Sequence, residues 1–328
     1  MLQVSHSKIT LWRKCQKAYE YRYEQGLKRR LKSAPLVRGT IVGEMLAERA
    51  RGKDMYKILA KYEAEFNKLF VEEREMYGNL IDDVRRIMEG YERKYDSEDL
   101  IYLDSEVEVK VSLGNEIEFI GKIDQLVRDK TGGIWVMERK NPKVIPTEED
   151  RFSDIQTVVY VWARDLGVKK KSEKTRGVMW DYIRAKPPTI PERLKSGELT
   201  QRKDLDSDHF TYMEAIKEYG LKPADYKEAL DRLQHRGNAF FERVVLPVKE
   251  DSLVKSVVTD LMVSANEILS AKGLENPCYP RNMTWMCPKQ CEYFRLCNTE
   301  LRGLDSEFIR KADYEVRLED KGEQFERE

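Results

Sequence analysis

At 328 residues and 41% hydrophobic content, the chain can form one large domain or two ordinary ones and bury a sizeable core. Lysine plus arginine and aspartate plus glutamate both number 59, so no global basic field exists to coat nucleic acid nonspecifically, although a locally basic groove is allowed. No run of about 18 apolar residues occurs and Met1 to Lys14 lacks the apolar centre of an export signal, so the expectation is a cytoplasmic protein with no membrane association.

Ser7 to Tyr23 predicts a helix with Ser7 as N-cap, because Ile9, Trp12, Cys15, Tyr19 and Tyr23 recur at three- and four-residue steps. Gly26 stops it, and the basic run Lys28 to Lys32 reads as a solvated loop or a phosphate contact. Leu36 to Arg49 reads as extended, turning at Gly39 and then helical. Lys53 to Lys94 predicts two helices broken near Gly78, an insertion (about 53–96) with too few core residues to stand alone. Leu100 to Leu113 alternates apolar and polar residues, the period of a half-buried strand. Gly114-Asn115 turns the chain into a second strand, Glu116 to Arg128. Lys130 to Gly133 then turns it into a third, Ile134 to Lys140, whose apolar run marks it as central.

Glu148 to Leu166 reads as a helix ending at Gly167, and Thr175 to Ala185 as a fourth strand. Pro187 to Pro191 breaks the chain, and Arg193 to Ser207 is a polar loop. Tyr212 to Phe241 and Ser252 to Lys272 read as helical, and residues 304–328 as a charged tail, disordered in part. Three meander strands, a helix and a further strand make an α/β core with helices packed around it. The expected organisation is a single domain over 1–303.

The chemistry concentrates between Ile117 and Asn141. Asp124 on one strand and Glu138 on the next can present two carboxylates at one edge, a hard oxygen set for Mg2+ or Mn2+, with the Arg139 backbone carbonyl as a further ligand. Lys140 projects to the same side as Glu138, where its ammonium can orient an attacking water or offset developing charge. Alone, E-x-K on a strand is more often a surface ion pair; the preceding G-K-I-D makes the metal site the better reading. Gln156 and Tyr160, four residues apart on one helix face, can hydrogen-bond a DNA phosphate or the catalytic groups.

Gly121-x-Ile123-Asp124, Glu138-x-Lys140 and Gln156-x-x-x-Tyr160 together resemble the PD-(D/E)XK nuclease superfamily, and within it the RecB-like branch. The resemblance runs from Ser7 to about Asn298 and implies a restriction-endonuclease-like core. That branch carries an upstream G-x-x-x-H motif whose histidine ligates metal; here Gly39 to Gly43 puts glycine in the histidine's place. Glu44 is then the candidate substitute ligand, or the site is weakened. His6, His209 and His235 lie outside the motif and read as ordinary surface or core residues.

Five cysteines occur, four of them within 278–297, and an odd count without an export signal argues against a disulfide framework. Cys287, Cys291 and Cys297 form a tight trio, and Cys15, on the aromatic face of the first helix, is the candidate fourth ligand. Four thiolates hold zinc or an iron–sulfur cluster, and free core thiols are the third possibility. One distant N-terminal cysteine with three C-terminal ones resembles the [4Fe–4S] staple of AddB-type and CRISPR-associated exonucleases, as does S-x-I-x-x-W-x-x-C at Ser7 to Cys15. That resemblance implies a cluster tying the chain's ends together through segment 278–298, with Cys278 a spare. Trp12, Tyr19 and Trp285 are assigned to the core rather than to DNA.

The resemblance implies a Mg2+- or Mn2+-dependent exonuclease on single-stranded DNA, in a setting of repair and recombination. The alternative is a nuclease-fold DNA-binding or assembly module that has lost efficient metal binding at Gly43.

Overall fold

The protein is described by a computed structural model that covers residues 1–151, 154–236, 240–248 and 251–316. In chain order the elements begin with β1 (Leu2–Val4), α1 (His6–Lys14), α2 (Gln16–Tyr19) and a single π turn at Glu20–Glu24. Then come β2 (Leu27–Arg29), α3 (Ala34–Ala50), α4 (Tyr56–Phe66), α5 (Val71–Tyr77) and α6 (Leu80–Tyr95). The central hairpins are β3 (Ile101–Gly114), β4 (Ile117–Arg128) and β5 (Ile134–Lys140), followed by α7 (Glu148–Arg151), α8 (Gln156–Leu166) and β6 (Thr175–Ile183). The remainder is α9 (His209–Glu218), α10 (Lys227–His235), β7 (Phe241–Pro247), α11 (Asp251–Lys272), α12 (Cys287–Gln290), α13 (Phe294–Leu301), α14 (Glu307–Asp313) and β8 (Tyr314–Val316). No helix among the described residues is long and apolar enough to cross a membrane.

The described strands form a six-stranded mixed sheet and a separate β2–β8 pair. β4 lies at the centre of the larger sheet's architecture. It pairs with β3 along its length, with β1 in parallel over Ile117–Phe119, and with β5 over Gln125–Arg128. β6 joins β5 in parallel and β7 closes the far edge antiparallel. The three-strand meander and a fourth strand after a helical segment are as the alternation and the turn residues predict; the parallel pairing of that fourth strand with β5 is a finding of the structure.

The main core covers one face. Phe119, Ile123, Val136, Val178 and Trp180 from the sheet meet Val158 and Val159 of α8, Leu261 and Ile268 of α11, and Ile9 and Trp12 of α1. A second core lies on the other side, where α3, α4 and α6 pack through Ile41, Met45, Leu59, Val84 and Met88 against Ile183 and Phe241. The Lys53–Lys94 insertion therefore buries its apolar stripe mainly against α3 and within its own helices, closing on the sheet at Ile183 and Phe241. It has three helices rather than two, with Gly78 at the expected break, at φ +56°.

Several boundaries differ from the sequence reading. Ser5, not Ser7, caps α1, its hydroxyl accepting from the Lys8 N–H. The helix then breaks at Cys15, whose backbone is extended. Leu36 to Arg49 is helical throughout, within an α3 that starts at Ala34 with Pro35 in its first turn, a position where proline costs nothing. Glu148 to Leu166 is two helices, with residues 152–153 outside those described. Phe241–Pro247 is a strand, because pairing with β6 satisfies its backbone and buries Phe241. The tail is ordered at least as far as Val316: Ile309 and Tyr314 are buried and β8 pairs with the basic run at Leu27–Arg29. The acidic end of the tail, 317–328, lies outside the described residues.

One residue organises the β4–β5 turn. Asp129 accepts from the Thr131 N–H at 2.8 Å, the Thr131 hydroxyl at 2.7 Å, the Gly133 N–H at 2.9 Å and the Trp135 indole at 2.8 Å. These hydrogen bonds, those from Thr131 and Trp135 foremost, hold its carboxyl well below the usual carboxylate range. Asp129→Ala strands these donors and is expected to lower unfolding stability by about 2 kcal/mol. Urea unfolding of the two proteins checks this, with an unchanged midpoint contradicting the assignment.

Candidate active site

β4 and β5 part company at the site. Their ladder runs from Arg128↔Ile134 to Gln125↔Met137 and stops there, while β5 stays paired with β6 through Glu138↔Trp180 and Lys140↔Tyr182. On the same edge of β4, pairing resumes only with β1 at Phe119. The β4 segment from Ile120 to Asp124 therefore borders a wedge. The β3–β4 ladder is also distorted here, passing from Val107↔Ile123 to Ser105↔Gln125 with Glu106 at φ +56° between them. Across that distortion Ile123 and Leu126 both face the main core, so the strand's alternation slips by one residue and Asp124 joins the face of Glu138. The Arg139 N–H, which a continued ladder would direct to the β4 backbone, donates instead to Asp124 Oδ2 at 3.0 Å.

Around the wedge the polar side chains form one network. Lys140 Nζ donates to Gln156 Oε1 at 3.0 Å, and lies 3.3 Å from Glu138 Oε1 and 3.2 Å from Asp154 Oδ2. Gln156 Nε2 donates to the Tyr160 hydroxyl at 3.0 Å. The Tyr160 ring lies directly on Gly121, where a Cβ would stand 2.7 Å from Cε1. Glycine in G-K-I-D is thus needed for this close approach, which brings α8 down onto β4 beside Asp124.

The electrostatics of this network are strained towards anion. Burial, then Asp124 and Asp154, push the Glu138 carboxyl above its ordinary range, and Lys140 only partly offsets them. Burial alone would depress Lys140, but Glu138 and Asp154 outweigh it and hold the ammonium charged. Burial and Glu138 raise the Tyr160 phenol, so it remains protonated. Three carboxylates thus share one ammonium, two charges short of neutrality when all are ionised. Glu138 Oε2 is buried and has no hydrogen-bond partner. A buried carboxylate oxygen without a donor costs free energy, which a cation would recover. Two carboxylates can suffice for Mg2+ or Mn2+ when water and substrate phosphate complete the shell. Among the described residues, no three histidine, cysteine, aspartate or glutamate side chains are arranged to hold an ion by themselves.

Compared with known families, residues 3–298 match the PD-(D/E)XK nuclease superfamily. The chain belongs to that superfamily. A solved structure described as "Crystal structure of SSO0001" is 12% identical, over 76% of this chain and 80% of that one, with a TM-score of 0.26, too low to bear on the fold. No curated protein matches the chain. Membership makes the protein a nuclease, and nucleic acid its substrate; members typically use Mg2+ or Mn2+.

Within this nuclease, Asp124, Glu138, Lys140, Gln156 and Tyr160 come together as the motif spacing predicts. Glu44 does not join them: its Oε1 accepts from the Tyr62 hydroxyl at 3.1 Å, on the α4 side of α3. Two further groups reach the network from outside the motif. Asp154, two residues before the start of α8, binds Lys140. His6 follows β1, whose register with β4 (Val4↔Phe119) sets it level with Gly121 beside the wedge, where it senses Asp154 and Lys140. Nothing local in the sequence marks either residue.

Cys15, Cys291 and Cys297 border one hydrophobic cluster, but among the described residues no three cysteines are arranged to hold an ion. Burial raises the Cys291 thiol, and Cys15, Cys287 and Cys297 all add to the shift, so the four sulfurs lie within electrostatic reach. The break between α1 and α2 falls at Cys15. Backbone N–H groups of Asn282 and Thr284 donate to the sulfurs of Cys15 and Cys287 at 3.5 and 3.3 Å, and Arg281 Nε donates to Cys297 at 3.3 Å. Cys278 is exposed and apart from this set. Trp12 and Tyr19 are core residues as expected, but Trp285 is 74% exposed, with Lys289 Nζ 5.1 Å from its ring centre.

Burial lowers the His6 pKa from 6.5 to about 4, an effect that Asp154 opposes and that Lys140 and Arg13 reinforce. A depressed folded-state pKa gives stability that is present above pH 6.5 and lost as pH falls towards 4. His6→Gln is therefore expected to flatten the loss of stability between these limits in EDTA. Urea midpoints at pH 7 and pH 4.5 measure it, and parallel losses in both proteins would contradict the placement.

Proposed function

We propose that this nuclease is a Mg2+- or Mn2+-dependent deoxyribonuclease of the RecB-like branch, acting as an exonuclease on single-stranded DNA and stapled by a [4Fe–4S] cluster. The observation that carries the metal-dependent part is the buried, unpartnered Glu138 Oε2 beside Asp124 in an anionic wedge. Asp124, Glu138 and the Arg139 backbone carbonyl would hold the ion. A divalent cation there would supply Lewis acidity to the scissile phosphate and the positive charge that the wedge lacks. Lys140 donates towards the attacking water or the phosphate, and Gln156 orients it through their hydrogen bond. Tyr160, kept protonated, holds Gln156 in turn.

What supports the cluster reading is that the four thiols lie within electrostatic reach of one another and that N–H donors are aimed at three of them. Donors of this kind stabilise cluster sulfurs. Cys15 and Cys287 stand 272 positions apart, so a cluster would close the nuclease domain end to end. The exonuclease and single-strand parts rest on the resemblance of these cysteine segments to AddB-type and CRISPR-associated exonucleases. A second reading, a weakened nuclease-fold DNA-binding module, is favoured by Gly43 and by the engagement of Glu44 with Tyr62 rather than with the wedge.

End-labelled single-stranded DNA with Mn2+ tests the proposal. The protein purified without oxygen is expected to carry about four irons and to shorten the DNA from an end. Glu138→Ala and Lys140→Ala should each lower the rate about 100-fold or more. Full activity in both variants would sink the catalytic assignment, an inert wild type would favour the binding module, and iron-free protein that still cleaves would remove the cluster.

A further inference from the structure

An ammonium has three N–H donors, and Lys140 has three acceptors: Gln156 Oε1 at 3.0 Å, Asp154 Oδ2 at 3.2 Å and Glu138 Oε1 at 3.3 Å. Two of these come from one rigid place. Asp154 lies two residues before Gln156, which opens α8 directly after its N-cap Ile155. Asp154 is itself fixed there: its Oδ1 accepts from the Gln156 N–H at 3.2 Å, and its carbonyl accepts from the Thr157 hydroxyl at 3.1 Å. Both carboxylate oxygens are thus in use, one on Lys140 and one on the helix start. This engagement marks Asp154 as a holder of the lysine rather than a ligand for the wedge cation.

We propose that Asp154 is a positioning residue for Lys140, holding with Gln156 two of its three donors so that the third, now on Glu138, is the one presented to the substrate. The inference rests on the nuclease reading for its catalytic consequence, and on geometry alone for the restraint itself. An unrestrained lysine on a flexible four-carbon stem would sample many positions, and small misplacements of a catalytic group cost large factors in rate.

Two readouts test it. In metal-free protein labelled with 15N-lysine, Lys140 is expected to give a protected ammonium signal, recognised by its loss in Lys140→Ala. Asp154→Ala should broaden or abolish that signal, whereas Asp154→Asn, which keeps an acceptor oxygen, should retain part of it. In the Mn2+ nuclease assay, Asp154→Ala should lower kcat about 10- to 100-fold with KM and Mn2+ affinity unchanged. In a Lys140→Ala background it should add nothing, since the two residues act as a unit. An unchanged lysine signal, multiplicative losses in the double variant, a loss confined to KM, or weakened Mn2+ affinity would each overturn the proposal. If Asp154→Ala fails to fold, Asp154→Asn decides by the same criteria. A wild type without nuclease activity would defeat the catalytic reading, and the lysine spectrum would still decide the restraint.

Discussion

The site depends on a sheet that comes apart at one place. β4 and β5 are hydrogen-bonded partners up to Gln125↔Met137 and then diverge, because β5 remains committed to β6. Without that divergence Asp124 and Glu138 would be ordinary ladder neighbours, with backbone groups filling the space between them. With it, Asp124 takes the Arg139 N–H that the ladder no longer uses, and Glu138 turns into a closed wedge with one oxygen unpartnered. Ionising a buried Glu138 beside a half-buried Asp124 is costly. The fold sustains the pair through Lys140, and Lys140 in turn through Asp154 and Gln156.

The rest of the molecule can be understood as bracing that wedge from three directions. α8 is brought onto β4 by the glycine at 121, which lets Tyr160 lie against the strand. The second core, from the 53–94 insertion, backs the opposite face. There Asp181 is wholly buried and bonded to Tyr91 and Arg243, so that face too carries a charged group, but one that is fully partnered. Asp181 is thus fully satisfied within the fold, whereas Glu138 keeps one buried oxygen without a partner. Segments 15–29 and 291–316 meet in a cluster that includes Cys15, Cys291 and Cys297, where Tyr293 and Tyr314 stack and β8 pairs with β2.

How much of this was legible in the sequence follows the range of the interactions. The hairpin and its carboxylates were readable because period-two alternation, a Gly-Gly turn and E-x-K are all local. Gln156 and Tyr160 were readable because four residues make one helical turn. Asp154 was not, since its role depends on where Lys140 arrives from another element. His6 was hidden for a similar reason: a three-residue strand pairing with β4 more than a hundred positions away sets its place. The break at Cys15 had no glycine or proline to announce it, so the helical period ran straight through. The helical reading of Tyr212 to Phe241 overlaps the strand Phe241–Pro247 only at Phe241, whose strand character comes from pairing with β6, and the reading of the tail as disordered in part reflects a charge that hides two buried apolar anchors.

The wedge between β4 and β5, with its unpartnered Glu138 oxygen, has the makings of a divalent-cation site. Calorimetric titration of Mn2+ into the metal-free wild type and into Glu138→Gln, both checked for folding, tests this most directly. The account predicts saturable binding at millimolar Mn2+ or below in the wild type and its loss in Glu138→Gln. No binding in the wild type, or the same binding in both proteins, would contradict it.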